Sequence, residues 1–469
     1  MSVEASVGAG AEGGALELTD RSGSPRRGRR TASRMLVWRQ SAVVATVPLL
    51  TLVLCVVAAR TIDLVPQSIR PLNTVGMGGI FNLISFRLLT FEVLPIIGLL
   101  PVVYLIAVGY SDRVSRRTLI WSVAIVTVAA TLAPPLFSTD MFSYEAYARM
   151  FVIYHVNPYT HGPFAISLDP VYQFIGASWI QTPTDYGPLF TLLTGPMAWL
   201  SVPISELTFK LVGGLCIVGT LWLVWKSAAL RGVSQTRALA LVGLNPLVII
   251  SGVGGGHNDS LMLWFMVAGV YAVLVGRDRP AGALMATSMA IKLTGGVVMP
   301  FAVLSDLGSR TPERRKRLIA GIAAASMLSL VASMVFFGFG AFQMFNTLSI
   351  TQAEGSWQSV PGFFFTIFLG YTPLAARYGL DVVTLGIILW LMWRVWTQRL
   401  DWIEAAAWAS LTVLATAWTL LPWYMMLTMP LVALSKDHRL WKAAAIMTLI
   451  GGIILVGESV PGGVSIFRI

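Results

Sequence analysis

The amino-acid sequence predicts an all-α polytopic membrane protein, and three features of its composition carry that prediction. Hydrophobic residues make up 56% of the 469 residues and charged residues only 12%, about half the charged share of soluble domains. The mean hydropathy is +0.73. The 16 Trp and 43 Gly are typical of interfacial aromatic belts and of closely packed membrane helices. The net charge of +11 lies mainly in loops, without the alternating basic and aromatic pattern of a nucleic-acid surface. We therefore expect membrane lipids around this chain and no nucleic-acid partner.

Residues 1–34 differ from the rest of the chain and are predicted to form a disordered, basic, cytoplasmic tail. The segment is rich in Gly, Ser and Ala and carries an arginine cluster at 26–30. The apolar stretch from Ser41 to Val65 is too long for the core of a signal peptide, so we expect an uncleaved first span. Because basic residues stay on the cytoplasmic side, the tail places the N-terminus inside. Residues 35–469 are then predicted to form one transmembrane domain.

Apolar runs of about 20 residues, the length that crosses a bilayer, alternate with basic loops along this domain. Ten runs are predicted to span the membrane: 41–63, 92–110, 118–137, 207–226, 236–253, 259–276, 319–339, 379–396, 403–421 and 440–457. Five shorter apolar pieces lie at 189–202, 281–291, 293–304, 362–374 and 423–435. The first of these is predicted to be re-entrant or interfacial. The second and third are predicted to form a hairpin with its apex near Lys292, so that the bundle has about ten to thirteen helices.

The distribution of basic residues predicts that the polar segments of the chain meet on one side of the plasma membrane. The Arg-rich loop after the second span is cytoplasmic, so the third span delivers the main loop, 138–188, to the extracytoplasmic side. The same reasoning places the turn 254–259, the apex near Lys292 and the turn 421–424 outside. Carboxylates, a His, a Lys and aromatic side chains converge there, which predicts an extracytoplasmic active site.

The segment 138–145 is the strongest functional signal, because a carboxylate beside a membrane span is costly and needs a reason. Asp140 could cap the helix that follows, and it could also act as a general base on a sugar hydroxyl; the two roles are compatible. Tyr144 and Glu145 lie about one helical turn further on and are predicted to face the same pocket. We take Asp140 and Glu145 as candidate catalytic residues and Tyr144 as a candidate substrate ligand.

Three consecutive polar residues, His257, Asn258 and Asp259, form a second candidate cluster after three glycines. Asn258 or Asp259 could cap the next helix, and the remaining groups could bind sugar hydroxyls or a phosphate. Lys292 could extend to the membrane interface, or it could bind a phosphate as a point charge.

Several further candidates for substrate binding lie in turns that contain Pro or Gly, where a purely structural role is the alternative. They are Asn157, Tyr159, Asp185, Tyr186, Trp423 and Tyr424. The acidic residues are too dispersed for a metal-ligand set to be assigned. We therefore assign no cofactor and no metal ligand, and leave a divalent metal open.

Six short motifs occur in a characteristic order. They are Asp-Met-Phe-Ser-Tyr at 140–144, Asn-Pro-Tyr at 157–159, Tyr-Gly-Pro at 186–188, Gly-His-Asn-Asp at 256–259, Ile-Lys-Leu at 291–293 and Pro-Trp-Tyr at 422–424. In this order they resemble the actinobacterial polyprenyl-phosphomannose-dependent α-1,6-mannosyltransferases of lipomannan and lipoarabinomannan synthesis, which have the GT-C glycosyltransferase fold. The resemblance covers about residues 40–457, and Gly-His-Asn-Asp is its most specific motif. One departure is that the main outer loop follows the third predicted span, whereas simpler GT-C enzymes place it after the first.

The resemblance implies a polyprenyl-phosphate-mannose donor, an extracytoplasmic α-1,6-mannan or lipoglycan acceptor, and inversion at the anomeric carbon. It maps the family's catalytic acid onto Asp140, which would take the proton of the acceptor hydroxyl in a single displacement. A transporter or flippase for a lipid-linked sugar is the alternative from another class. The absence of a clear repeat between the two halves and the polar groups on one face favour the enzyme. Another donor, such as polyprenyl-phosphate arabinofuranose, is the main alternative among enzymes.

Overall fold

The computed structural model describes residues 25–58, 90–308, 311–353, 357–369 and 374–459, which form helices and connecting turns without a β-strand. The helices are α1 (Pro25–Ala58), α2 (Thr90–Tyr110), α3 (Arg116–Leu132), α4 (Asp140–Val152), α5 (Pro188–Leu193), α6 (Val202–Arg231), α7 (Gln235–Gly243), α8 (Asp259–Leu274), α9 (Asp278–Ile291), α10 (Met299–Leu304), α11 (Thr311–Phe337), α12 (Gln343–Ala353), α13 (Val360–Leu369), α14 (Leu374–Trp396), α15 (Trp402–Thr416), α16 (Met429–Ala433) and α17 (His438–Ser459). The predicted all-α polytopic membrane fold is confirmed.

The chain divides into two compact units, Met1–Arg39 and Gln40–Ile469. Residues 1–24 of the predicted tail lie outside the described residues, and residues 25–34 are helical as the first part of α1. The second unit contains the remaining helices and every candidate site residue.

Six helices among the described residues are long and apolar enough to cross a membrane, and a seventh span results if one bent pair is counted. The six are Arg39–Val57, Leu94–Arg113, Val202–Arg231, Thr311–Gln352, Leu374–Trp396 and His438–Gly457. Three other predicted spans form the shorter helices α3, α8 and α15, of 17, 16 and 15 residues. Proline accounts for one of these lengths, because Pro134 and Pro135 follow the end of α3 and cannot continue it.

The bent pair consists of α7 and the π-helical segment Leu247–Gly254, which meet at 51°. Pro246 lies at the break and has no N–H for the helix ladder. The side-chain oxygen of Asn245 instead accepts the backbone N–H of Leu247 at 2.9 Å. The bend therefore has a local cause, and it carries the chain into the Gly-rich turn before α8.

The segment 281–304 has the predicted hairpin form. Residue Lys292 is extended between α9 and a 3-10 segment, Leu293–Val298, which leads into α10. The predicted re-entrant piece 189–202 contains α5, of only 6 residues, and a 3-10 turn. Helix α9 crosses α11 closely, since a Cβ on Gly282 would lie 2.0 Å from the carbonyl oxygen of Leu318. Small residues allow such an approach of two backbones in a membrane.

The basic loops predicted to be cytoplasmic lie together at one end of the second unit. Arg231, at the end of α6, pairs with Asp401 before α15 at 2.7 Å. Arg237, in α7, pairs with Asp112 after α2 at 3.0 Å. Helix α3 starts beside these residues at Arg116 and runs to the opposite end, where α4 and the candidate site begin.

Candidate active site

Asp140 is the first residue of α4 and contacts two residues from distant parts of the chain. Its Oδ2 lies 3.4 Å from Nδ1 of His257, and the Tyr186 hydroxyl donates to the same oxygen at 3.4 Å. The residue before it, Thr139, occupies the N-cap position, and the backbone N–H of Asp140 donates to the Ser138 hydroxyl at 3.1 Å. The Asp140 carboxyl is thus directed toward His257 and Tyr186 and does not cap the helix.

The charge state of Asp140 suits a proton acceptor. Burial raises the pKa of this carboxyl, but the adjacent imidazole of His257, the Lys292 ammonium and the Ser138 hydroxyl outweigh burial. The resulting pKa lies below the usual value for aspartate, so the carboxylate is ionised at neutral pH. An ionised carboxylate can accept a proton from a hydroxyl group that is brought within hydrogen-bond reach.

His257 reaches Asp140 because the turn before it is built from glycine. Gly256 has a φ of +64°, in the left-handed region that disfavours side chains, and a Cβ there would lie 2.7 Å from Cε of Met141. The imidazole of His257 stacks on the Trp423 ring, with centroids 3.8 Å apart and planes 21° apart. Among the described residues, neither ring nitrogen has a hydrogen-bond partner. The ring is therefore held by stacking, with its polar edge available.

Asn258 occupies the N-cap position of α8, but its side chain makes no capping hydrogen bond. Both polar atoms of its amide are buried and lack a hydrogen-bond partner within the described part of the chain. Buried polar atoms are nearly always paired, so such an orphaned amide indicates a site for a ligand. The capping role that the sequence allowed is not performed by the Asn258 side chain.

Lys292 is directed inward and joins two other predicted site residues. Its Nζ donates to Oδ2 of Asp259 at 2.6 Å and lies 4.9 Å from the centre of the Tyr424 ring. The side chain is only 16% exposed, because it points into the protein toward Asp259. An ammonium group has three N–H donors, and the bond to Asp259 uses one of them.

The Tyr-Gly-Pro turn lies directly beside Lys292. The backbone N–H of Gly187 donates to the carbonyl oxygen of Ile291 at 3.1 Å. Oδ1 of Asp185 is buried without a hydrogen-bond partner among the residues described. Burial raises the pKa of Asp185 to about 6, with Lys292 opposing and Asp140 reinforcing the rise. Asp185 therefore belongs to the electrostatic environment of the same cluster.

The aromatic residues of the cluster pack against one another. The Tyr144 ring meets the Tyr186 ring edge-on with centroids 4.8 Å apart, and Trp423 contacts Tyr424 in the same way at 6.1 Å. The structure therefore brings ten predicted residues into one site: Asp140, Tyr144, Asp185, Tyr186, His257, Asn258, Asp259, Lys292, Trp423 and Tyr424.

Glu145 is not brought to this cluster. Five residues after Asp140, it points about 140° away around the helix. Its Oε1 accepts a hydrogen bond from Nε of Arg149 at 2.8 Å, and Arg149 also donates to the carbonyl oxygen of Leu200 at 2.6 Å. Burial raises the pKa of Glu145 to about 7 although Arg149 lowers it. The contacts of Glu145 are those of a residue that joins α4 to the start of α6.

Asn157 and Tyr159 brace the outer loop and do not line the cluster. The Asn157 amide donates to the carbonyl oxygen of Phe337 at 2.9 Å. The Tyr159 hydroxyl donates to the backbone carbonyl oxygen of Tyr186, also at 2.9 Å. Both side chains thus hold backbone in place. Tyr159 supports the residue that in turn contacts Asp140.

Two features were not singled out by the sequence. One is an apolar cavity of about 590 Å³ between α6 and α8, which ends at Gly256, His257 and Asn258. The other is Lys210, whose charge inside a predicted span was the signal that could have identified it. Within the described ranges, no three His, Cys, Asp or Glu side chains are grouped to hold a metal ion.

A family sequence model described as "Alpha-(1->6)-mannopyranosyltransferase, N-terminal domain" matches residues 41–307, more than half of the chain. The chain belongs to this family. Its second unit therefore contains the family's N-terminal domain, including Asp140, His257 and Lys292.

Curated relatives come from mycobacteria and corynebacteria. "Alpha-(1->6)-mannopyranosyltransferase A" of Mycobacterium tuberculosis is 28% identical over 331 residues, which are 66% of this chain and 62% of the relative. A "Probable alpha-(1->6)-mannopyranosyltransferase" of Mycolicibacterium smegmatis is 27% identical over 401 residues, 73% of this chain and 69% of the relative. "Alpha-(1->6)-mannopyranosyltransferase A" of Corynebacterium glutamicum is 26% identical over 234 residues, 46% of this chain and 47% of the relative. The chain thus spans somewhat less than two thirds of the first of these relatives. No solved structure matches the chain.

Proposed function

We propose that this protein is a mannosyltransferase that moves mannose from polyprenyl-phosphate-mannose to an extracytoplasmic α-1,6-mannan or lipoglycan acceptor, with inversion. The names of the relatives support mannosyl transfer. The observation that supports a lipid-linked donor is the apolar cavity that ends at His257 and Asn258. The open side of this cavity faces the lipid, and we call it the donor groove. Its inner end lies at the polar cluster around Asp140.

The walls of this cavity suit an isoprenoid chain. They include Phe209, Leu215 and Gly219 from α6, and Leu261, Trp264 and Phe265 from α8. Leu215 is 71% exposed at the groove, where membrane lipid would surround it. Because lipid tails are as apolar as these side chains, the groove contributes little affinity for an isoprenoid. The groove instead determines where the phosphate and the sugar of the donor lie.

The proposed reaction is a single displacement. Asp140 takes the proton of an acceptor hydroxyl while that oxygen attacks C1 of the donor mannose. The bond between C1 and the phosphate oxygen breaks, and polyprenyl phosphate leaves with the bonding electrons. Inversion follows because the attack and the departure occur on opposite faces of C1.

The cluster offers groups for charge and for sugar binding. Lys292 retains two N–H donors for the phosphate oxygens, and Asp259 orients it at 2.6 Å. The unpartnered amide of Asn258 and Nε2 of His257, whose Nδ1 faces Asp140 at 3.4 Å, are available to sugar hydroxyls or to the phosphate. Tyr144, Tyr186 and Trp423 supply aromatic surface beside them.

The distribution of basic residues supports the proposed side of the membrane. The arginines of the α2–α3 and α6–α7 loops lie at the end away from the cluster, and basic residues favour the cytoplasm. We therefore propose that the active site lies on the extracytoplasmic face of the plasma membrane.

The test is transfer by the purified protein in proteoliposomes with a short α-1,6-mannoside as acceptor. Radiolabelled polyprenyl-phosphate-mannose, GDP-mannose and polyprenyl-phosphate-arabinofuranose are supplied separately. We expect labelled mannoside only from the first donor. Transfer from GDP-mannose alone, from the arabinofuranose donor, or from none of the three would contradict the proposal.

The groove is tested by Leu215→Trp, which fills its open side. We expect a higher KM for the lipid donor at a nearly unchanged kcat. The matched control is Leu211→Trp, which adds the same bulk to an exposed leucine on α6 that does not line the cavity. Equal KM values for the two variants would contradict a donor in this groove.

A further inference from the structure

Lys210 is a fully buried cation within the membrane-spanning helix α6. Its side chain has 0% exposure and lies eight residues after the start of the helix, about 12 Å along its axis. A charge in such a position is costly and indicates a functional role. Lys210 does not line the cavity.

The ammonium of Lys210 binds the end of α3. It donates to the carbonyl oxygens of Ala133 and Pro134, the second at 3.2 Å. These carbonyls end a helix that Pro134 and Pro135 cannot continue, so no backbone N–H of a following turn can satisfy them. A cation is favourable at this terminus, because the helix dipole places negative charge there.

Glu206 neutralises the cation from one helical turn earlier in α6. Its Oε1 lies 3.5 Å from Nζ of Lys210, and the side chain is 4% exposed. Unpaired charges are strongly unfavourable in such surroundings, so Lys210 requires a partner such as Glu206. The pair alone does not explain why the ammonium is directed at the end of α3.

The segment between α3 and Asp140 is held at a second point. The backbone N–H of Leu136 donates to the carbonyl oxygen of Gly254 at 3.1 Å, three residues before His257. Phe137 then adopts a φ of +59°, which is unfavourable for a bulky residue and persists only where neighbouring contacts enforce it. A short, doubly anchored segment therefore leads directly to Asp140.

We propose that Lys210 is a positioning residue for Asp140. By holding the end of α3, it fixes where the Asp140 carboxyl stands relative to His257, while Glu206 supplies the neutralising charge. This role rests on the proposed mannosyl transfer, in which Asp140 is the base. The alternative is that the Lys210–Glu206 pair only packs α6 against α3.

The kinetic test uses Lys210→Met/Glu206→Leu, which removes both charges together and leaves no buried charge unpaired. A misplacement of about 1 Å at a reacting group costs on the order of 100-fold in rate. We expect kcat to fall by about that factor with the donor KM nearly unchanged, and the melting temperature to fall modestly because the carbonyls of Ala133 and Pro134 lose their donor. Lys226→Met, at the exposed end of the same helix, should keep the wild-type kcat. A wild-type kcat in the double variant would overturn the proposal.

A second measurement does not depend on mannosyl transfer. In an Asp140→Cys/Cys216→Ser background, the rate of alkylation by a small membrane-impermeant reagent reports the position of residue 140, since Cys55 is buried and Cys216, which lines the cavity, has been replaced. We expect Lys210→Met/Glu206→Leu to change that rate several-fold and Lys226→Met to leave it unaltered. An unchanged rate in the double variant would overturn the role of Lys210. A wild-type protein without transfer would instead overturn the proposed function.

Discussion

Replacing Gly187 with alanine tests how closely the Tyr-Gly-Pro turn must fit beside Lys292. A Cβ at Gly187 would lie 2.0 Å from the carbonyl oxygen of Ala290, whereas ordinary contact begins near 3.4 Å. The turn must therefore retreat by the difference, about 1.4 Å, and a shift of that size costs on the order of 100-fold in rate. The hydrogen bond from Gly187 to Ile291 is weakened by the same movement. Since Asp185 and Tyr186 move with the turn, we expect the loss to appear in kcat.

The assay compares kcat, donor KM and melting temperature with those of Gly195→Ala. This control adds the same methyl group nearby in the chain, where the nearest atom is Cγ2 of Val152 at an ordinary 3.6 Å. We expect the control to match the wild type. A folded Gly187→Ala protein with full activity would refute the conclusion that this contact sets the geometry of the site.

Three further predictions test the assigned contacts. Glu145→Gln should keep most of the activity, because Glu145 contacts Arg149 and not the cluster. Since burial raises the pKa of Glu145 to about 7, the neutral amide should leave the free energy of unfolding nearly unchanged at pH 7; loss of transfer in the folded variant would return Glu145 to catalysis. Lys292→Met leaves Asp259, 3% exposed, without its partner and should cost about 3 kcal/mol of stability. The double variant Lys292→Met/Asp259→Asn should regain the wild-type melting temperature but keep a raised KM for the donor. If both the melting temperature and the KM return to wild-type values, Lys292 does not bind the donor. The folded pKa of Asp185 is raised to about 6, so its contribution to stability is complete below about pH 4 and is lost as the pH rises through 6. Asp185→Asn should therefore gain stability relative to wild type, by roughly 2–3 kcal/mol between pH 4 and 7, and a pH-independent difference would contradict the burial of this carboxyl.

The grouping of the site could be predicted from sequence because it depends on topology. Each polar motif lies at the end of an apolar run, so the alternation of basic loops places all of them on one side. The contacts among Asp140, His257 and Tyr186 agree with that expectation. The chemistry assigned to these residues, by contrast, stays a prediction.

Side-chain directions were less accessible to sequence reasoning. Tyr144 and Glu145 are adjacent, yet successive helical residues differ by about 100°, and only Tyr144 faces the cluster. The partner of Glu145 was visible in principle, since Arg149 lies four residues later on the same helix face. Residue spacing alone could not decide whether Glu145 pairs with Arg149 or faces the pocket.

The lengths of the helices were also difficult to predict, because hydropathy does not show where the backbone hydrogen bonds of a helix end. The predicted span 118–137 includes Pro134 and Pro135, and α3 ends at Leu132. The predicted span 236–253 is divided at Pro246, which bends it by 51°. These prolines have a consequence for the site, since Pro134 and Pro135 precede Asp140 and Pro246 precedes His257.

The central claim is that Asp140 accepts the proton of the acceptor hydroxyl, and one comparison tests it most directly. Transfer of mannose from radiolabelled polyprenyl-phosphate-mannose to a short α-1,6-mannoside is measured for wild type, Asp140→Asn and Glu145→Gln at equal protein levels. We predict a folded protein with a somewhat lower melting temperature and no transfer for Asp140→Asn, with transfer largely retained by Glu145→Gln. A folded Asp140→Asn protein that still transfers mannose would contradict the account.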